Sequence, residues 1–245
     1  MQNDWFKDWF SSEEYNLVYL HRDDNDARKL IDLILKTTQL NKRNLILDGP
    51  CGAGRHLNYL NSLGFNVVGF DLCKPFLIQA KNNALKLGFI PLLLRADIRD
   101  VYFKKEFDAV LNLFTSFGYF KSDEENFSYP RNAYSFLKKN GFFVLDYVNK
   151  NYLTENLIPS SLKKINSYTV EEKREIKDDR VIKTIKISDS LKRKEFYESV
   201  KLYSKDFILE RFLSFGYSVL RIFGDYKGCE YDEQTSERLI IIFKK

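Results

Sequence analysis

The stretch Asn44-Leu45-Ile46-Leu47-Asp48-Gly49-Pro50-Cys51-Gly52-Ala53-Gly54-Arg55-His56 constrains everything around it. Its first residues read as a short apolar strand, and a strand buried on both faces belongs in a parallel sheet. A glycine turn follows, then the start of a helix. Gly52 and Gly54 let the backbone approach a ligand where a side chain would block it. The helix beyond aims free backbone N–H groups at the same spot. A small-molecule pocket is therefore predicted at the carboxyl end of this strand.

What the turn lacks narrows the ligand. A dinucleotide fingerprint needs G-x-G-x-x-G, but Leu57 stands where the third glycine belongs. A phosphate loop needs Lys and Ser or Thr after its last glycine, and Arg55-His56 takes their place. An acid, Asp48, closes the strand instead; an anion repels a phosphate and favours a cationic or amino-bearing ligand. The next strand, Phe65 to Asp71, also ends in an acid, placed where a carboxylate can take both ribose hydroxyls of a nucleoside.

These residues resemble the class I S-adenosylmethionine-dependent methyltransferases. Asp48-Gly49-Pro50-Cys51-Gly52-Ala53-Gly54 is similar to their motif I, Asp71 to their ribose-binding acid, and Ala96-Asp97-Ile98 to their adenine-binding segment. Asn112-Leu113-Phe114-Thr115-Ser116-Phe117-Gly118-Tyr119 resembles the segment after strand four in a bacterial subgroup. Pro50 departs from the pattern, standing where the family often has its first glycine. The likeness is weakest between about Asn151 and Ser204.

The resemblance implies an α/β, Rossmann-like doubly wound fold. Its seven-stranded, mostly parallel sheet has helices on both faces and an antiparallel last strand, and a small antiparallel β insertion is added here. It implies S-adenosylmethionine as cofactor, S-adenosylhomocysteine as product and no metal. Cofactor contacts are expected from Asp48, Gly49, Pro50, Cys51, Gly52, Gly54, Asp71, Leu72, Asp97, Ile98, Asn112, Leu113 and Phe114. The Asp97 carboxylate can accept from an adenine amino group. Thr115 to Tyr119 would face the transferred methyl, with ring faces that attract a sulfonium cation. Methylation of a nucleobase amine is disfavoured, because the Asn/Asp-Pro-Pro-aromatic segment of those enzymes is absent.

Residues 1–22 form an aromatic arm. Trp5 with Trp9, and Phe6 with Phe10, share a helical face, and Ser11-Ser12 opens a second helix. The arm is read either as surface packing or as a lid over the cofactor. Arg22, aided by Tyr15, is the candidate partner for the cofactor carboxylate. His21 and Tyr119 are the candidate catalytic groups, His21 as a general base. Arg55 and His56 sit in a helix first turn, which disfavours basic side chains, so a local anion, Asp48 or a ligand carboxylate, is their expected partner.

Further along, Pro75 starts a helix that Gly88 stops, and Phe89 to Arg95 reads as strand three, with Pro91 marking its start or an edge. Ser122-Asp123-Glu124-Glu125 is a capping box, and Pro130 is expected to kink the helix it opens. Phe142 to Asn149 is strand five, with Asp146, Tyr147 and Asn149 expected at the substrate. Charged, β-branched stretches alternate over about 165–203, and Ser167 to Glu172, Val181 to Ile187 and Glu195 to Tyr203 read as antiparallel strands of an insertion over about 151–204 that shapes substrate choice or a homodimer contact. Ser204 caps a helix ended by Gly216, and two closing strands follow.

The chain is read as one domain over 1–245. Three cysteines without C-x-x-C spacing and two histidines argue against a disulfide framework or metal site and for the cytoplasm. The first residues do not read as a signal peptide, and no apolar run is long enough to cross a membrane. The net charge of +5 is mild, and lysines interleave with glutamates, so nucleic acid is a disfavoured partner and a small-molecule acceptor the favoured one. The expected activity is methyl transfer to an N, O or C nucleophile. The alternative is a non-catalytic S-adenosylmethionine-binding or RNA-binding module.

Overall fold

The computed structural model describes residues 4–19 and 24–245. Two short helices, α1 (Trp5–Ser11) and α2 (Glu13–Tyr19), precede α3 (Asp24–Thr38). Then come β1 (Leu45–Asp48), α4 (Arg55–Ser62), β2 (Asn66–Asp71), α5 (Lys74–Lys86), β3 (Leu92–Arg95) and β4 (Phe107–Asn112). After α6 (Asp123–Asn126) and α7 (Ser128–Phe136), β5 (Leu137–Val148) and α8 (Lys150–Glu155) lead into β6 (Ser160–Ile165), β7 (Tyr168–Lys177), β8 (Arg180–Ser188) and β9 (Arg193–Lys201). The chain closes with α9 (Lys205–Ser214), β10 (Ser218–Phe223) and β11 (Arg238–Lys244).

The main sheet has seven strands in the order β10-β11-β5-β4-β1-β2-β3. The first five strands run parallel, and β11 lies antiparallel to both neighbours. The expected doubly wound sheet with a reversed last strand is what forms. Because β1 pairs with both β2 and β4, the strand order changes direction there, and a crevice opens beyond the carboxyl ends of these strands.

Alternation along the buried strands supplies two apolar layers. In β11, Leu239, Ile241 and Phe243 face one side, where Phe127, Phe136, Phe143 and Phe212 gather under α7 and α9. Ile240 and Ile242 face the other, with Leu30, Ile31 and Ile34 of α3 and Leu57 and Leu60 of α4. This period of two, with both faces covered, is why β11 reads as a continuous apolar run.

Several boundaries differ from expectation. The helix break falls at Phe127, and Pro130 sits inside the first turn of α7, where its missing N–H costs no helix bond. Strand β5 begins at Leu137, five residues early, through an irregular step at which Asn140 adopts φ 64°. Strand β3 is only Leu92–Arg95, an edge strand that starts after Pro91. Both serine caps form: Ser122 accepts from the Glu125 N–H and Ser204 from that of Phe207.

The insertion is a separate four-stranded antiparallel sheet, β6-β7-β8-β9; its first strand carried no clear alternation. Val170, Ile185 and Ile187 of this sheet form a third apolar cluster with Trp5, Phe6 and Trp9 of the arm. The arm is therefore packed between the small sheet and the start of α5.

The Phe212 ring is fully buried and stacks on Phe243 at 4.0 Å between centroids. Phe212→Ala should lower unfolding stability by about 3–5 kcal/mol, read from the urea midpoint, with Phe212→Leu costing clearly less.

Candidate active site

A cavity of about 350 Å³ opens at the carboxyl ends of β1, β2, β3 and β4. The turn after β1 contributes Pro50, Cys51, Gly52 and Ala53; the Gly49–Pro50 peptide is cis. Gly52 has φ +53°, and a Cβ there would meet nothing within 4 Å, so its bare face looks onto open space. Gly49 and Gly54 serve packing instead. A Cβ on Gly49 would lie 1.9 Å from the Phe70 ring, and one on Gly54 2.7 Å from the Ala80 Cβ.

Asp71 stands in the cavity wall at the end of β2. Its two carboxylate oxygens accept from the N–H groups of Gly52 and Cys73, both at 2.8 Å. Burial outweighs these donors and pushes the carboxyl up to about 6. Each oxygen keeps accepting capacity, which suits a vicinal diol.

Asp48 is almost fully buried and lies behind the wall with Gly49, Gly54 and Asn112; none of the four lines the cavity. Neither Asp48 oxygen has a hydrogen-bond partner among the described residues, and the Asn112 Oδ1 is likewise unpaired. Burial, and then the nearby charge of Asp71, push the Asp48 carboxyl up to about 7, against the charge of Arg55. Orphaned buried acceptors of this kind are stabilised by a cation at the adjacent wall.

Ala96, Asp97 and Ile98 line a further part of the wall. Arg99 grips Asp97 from Nε (3.0 Å), Nη2 (2.7 Å) and its own backbone N–H (2.9 Å). Burial alone would raise this carboxyl, but the Arg99 bonds prevail and hold it below the usual carboxylate value.

After β4, Leu113, Phe114, Ser116 and Tyr119 face the cavity. Phe114 and Thr115 both adopt left-handed backbone, φ 58° and 62°, which costs side-chain-bearing residues about 1–3 kcal/mol each. Asp146 maintains it. Its Oδ2 accepts from the Phe114 N–H at 2.9 Å, and its carbonyl from the Thr115 N–H at 3.0 Å. Arg238 donates to Asp146 Oδ1 at 2.9 and 2.6 Å and to Thr115 Oγ1 at 3.0 Å.

Asp146 was expected at the substrate, but it is fully buried beneath the loop. Tyr147 is also core, its hydroxyl donating to the Lys201 carbonyl. Asn149 caps α8 and donates to the Glu233 and Ser236 carbonyls. The missed signal was a lone acid in the apolar run of β5 and a lone arginine opening that of β11, on paired strands.

The arm forms the outer wall through Phe6, Phe10, Tyr15 and Tyr19. Phe10 and Tyr119 rings lie 5.9 Å apart, and Tyr15 meets Phe76 at 5.0 Å. Glu198 of β9 anchors this wall, accepting from the Trp9 Nε1 at 2.7 Å and from the Tyr19 hydroxyl. His21 and Arg22 lie outside the described residues.

Arg55 and His56 both line the cavity. The Arg55 guanidinium lies 4.3 Å from the Phe114 ring centroid, and its charge favours the Asp48 anion. His56 is not the cation its position suggested. Burial first, and then Arg55, push it down to about 3, so it is neutral at physiological pH. Leu72 and Cys51 complete the apolar surface. No group of three or more His, Cys, Asp or Glu among the described residues is arranged to hold a metal. No described helix is long and apolar enough to cross a membrane.

Residues 46–141 match a family model described as a methyltransferase domain, a span that includes every turn lining the cavity. The fold is shared, at TM-score 0.82 and 22% identity, with an S-adenosylmethionine-dependent methyltransferase from Clostridium acetobutylicum, over 94% of this chain and 95% of that one. Over residues 46–141 the chain is thus similar to a methyltransferase domain. It is 31% identical, over 120 residues, to a glycine/sarcosine N-methyltransferase of Aphanothece halophytica, covering 48% of this chain and 45% of the relative. It is 29% identical, over 117 residues, to dTDP-3-amino-3,4,6-trideoxy-alpha-D-glucopyranose N,N-dimethyltransferase of Streptomyces venezuelae, covering 46% of this chain and 47% of that one. The chain thus spans about half the length of the curated relatives it matches.

Asp71→Ala should keep the fold but weaken S-adenosylhomocysteine binding by about tenfold or more in calorimetric titration. A pH effect follows from Asp48. Its folded-state value is raised, so the folded protein binds this proton more tightly than the unfolded chain does. The resulting stability is present below the unfolded value near 3.8 and is lost as pH rises through about 7. The melting temperature of the ligand-free wild type, relative to Asp48→Asn, should therefore fall between pH 4 and pH 7.

Proposed function

We propose that this chain transfers a methyl group from S-adenosylmethionine to an amine nitrogen of a small-molecule acceptor, with residues 1–245 acting as one unit. The observation carrying this reading is the convergence, on one cavity, of the Gly52 turn, the Asp71 carboxylate, the Asp97–Ile98 turn and a ring-lined outer wall. Asp71 would take the ribose hydroxyls. Asp97 and the Ile98 backbone would read the adenine, with Leu72 against its face. The buried Asp48 carboxylate favours the cationic end of the amino-acid portion through the intervening wall.

When bound, the sulfonium supplies an electrophilic methyl carbon: as the N–C bond forms, the C–S bond breaks, its electron pair stays on sulfur, and the excess N–H proton leaves to water. The protein's own contribution is alignment and exclusion of water. Phe114, Tyr119 and the arm rings narrow the space in front of the cofactor and offer faces that attract a cation. Neutral His56 adds no positive charge to repel that cation. An amine that arrives neutral needs no strong base, in keeping with a wall that holds no catalytic triad among the described residues.

Nitrogen is favoured over oxygen or carbon because the relatives named above act on a glycine or amino-sugar nitrogen. An RNA-binding role is disfavoured. Several cations of the small sheet pair with acids, as in Lys183 with Glu172 and Lys186 with Glu195, so its positive charge is interrupted.

The decisive experiment is calorimetry with S-adenosylhomocysteine and with ATP, followed by incubation of the enzyme and S-adenosylmethionine with glycine, sarcosine and amino sugars under mass detection. Saturable binding of the first nucleoside alone, with methylated product from at least one amine, is the expected result. Binding of ATP without S-adenosylhomocysteine would overturn the proposal.

A further inference from the structure

After Phe114 and Thr115, which Asp146 holds, the chain runs past the cavity toward α6, and Ser116, Tyr119 and Phe120 stand in the cavity wall. The Tyr119 ring meets three rings of the arm, at 5.1 Å from Trp5, 6.3 Å from Phe6 and 5.9 Å from Phe10. The group that fixes its backbone is not in the cavity. Arg180 opens β8 and does not line the chamber. Its guanidinium nevertheless donates to the carbonyls of Gly118 (3.1 Å), Tyr119 (3.2 Å) and Phe120 (3.0 Å). It also donates to the Ser199 carbonyl (3.0 Å) and hydroxyl (2.7 Å), so β9 holds the same plane that holds the segment.

A guanidinium suits this position. Its N–H groups lie in one plane and spread across consecutive peptides, whereas an ammonium offers its donors from a single nitrogen. The oxygens it bonds are neutral, so these bonds set geometry rather than cancel a charge. Burial accordingly pulls the guanidinium below the usual arginine value. Other contacts close off alternative placements of the segment. The Lys201 N–H donates to the Gly118 carbonyl at 2.7 Å, and the Phe120 N–H donates to the Asn126 Oδ1 at 2.9 Å. Gly118 has φ +88°, and a Cβ there would lie 2.9 Å from the Lys201 carbonyl, so the segment sits against β9 as closely as bare backbone allows.

We propose that Arg180 is a positioning residue for the cofactor chamber: through the carbonyls of Gly118, Tyr119 and Phe120 it presents the Tyr119 ring to bound S-adenosylmethionine. The small sheet contributes no residue to the wall of that cavity, yet it sets the shape of the wall through this one side chain. A change in β8 or β9 therefore reaches the methyl donor without touching it. This inference rests on the methyltransferase reading above, and the experiment separates the two.

The full-length chain is titrated calorimetrically with S-adenosylmethionine as wild type, Tyr119→Ala, Arg180→Met and the double variant. Each single substitution should weaken binding roughly fivefold, the loss expected when a ring face no longer meets the sulfonium. The double variant should bind no more than about twofold more weakly than Tyr119→Ala alone, because both changes act through one ring. Losses that multiply, to roughly 25-fold in the double variant, mark a general structural role for Arg180 and overturn the proposal. An unchanged affinity in either single variant overturns it as well. Should Arg180→Met not fold, Arg180→Lys, which keeps the charge and the stem on a single donor nitrogen, carries the same cycle. If the wild type does not bind S-adenosylmethionine, the methyltransferase reading fails instead, and amide deuterium exchange of the ligand-free protein decides for Arg180. The substitution should quicken exchange over residues 117–121 and leave residues 109–111 of β4 unchanged. An unchanged rate over 117–121, or an equal rise in both segments, overturns the assignment.

Discussion

At the end of β2 a single buried carboxylate accepts one N–H from the turn after β1 and one from the turn into α5. Asp71 thereby ties two neighbouring βα turns to each other, and the shape of the crevice follows from that tie. The Gly52 N–H reaches it from a left-handed backbone, φ +53°, that glycine adopts without strain. Burial makes the anion expensive, which is why both oxygens need donors from the backbone and why a diol adds further ones without displacing them.

A second buried charge does the same for the opposite side of the crevice. The pair of Asp146 and Arg238 joins β5 to the reversed strand β11 and reaches up to the loop after β4. The two left-handed residues of that loop persist because the pair over-determines them: carboxylate, carbonyl and guanidinium each hold one atom of Phe114 or Thr115. A charge pair this deep contributes little net stability against an apolar substitute, but it fixes one backbone geometry among several. The reversed last strand therefore has a role at the site, since it delivers the arginine.

The parallel core and the cavity were legible in the sequence because both are written in short-range signals. Period-two strands, glycine stops at Gly88 and Gly216, serine caps at Ser122 and Ser204, and acids at strand ends each act over a few residues. What was not legible depends on pairing across long separations. Nothing near Asp146 announces Arg238, so sequence alone places an internal support at the substrate. His56 looked basic because its neighbours in sequence are, yet its charge is decided by burial against Arg55 and the wall of the cavity. Asp48, Gly49, Gly54 and Asn112 belong to the motif but stand behind the surface it creates; a sequence pattern marks which residues build a cavity without separating its wall from its scaffold. Strand β6 was missed because its residues are mostly exposed on an outer edge, where no apolar alternation is required.

The arm's anchor has a consequence for how the molecule is assembled. Helix α1 has only seven residues, far too few to persist by themselves in water. Its order comes from partners such as Glu198, which is 189 positions further along the chain than Trp9. An arm made before the small sheet is thus obliged to wait for β9 before it can settle. Until β9 exists, Trp9 lacks its hydrogen-bond acceptor, and the cavity lacks the wall that Phe6 and Phe10 give it.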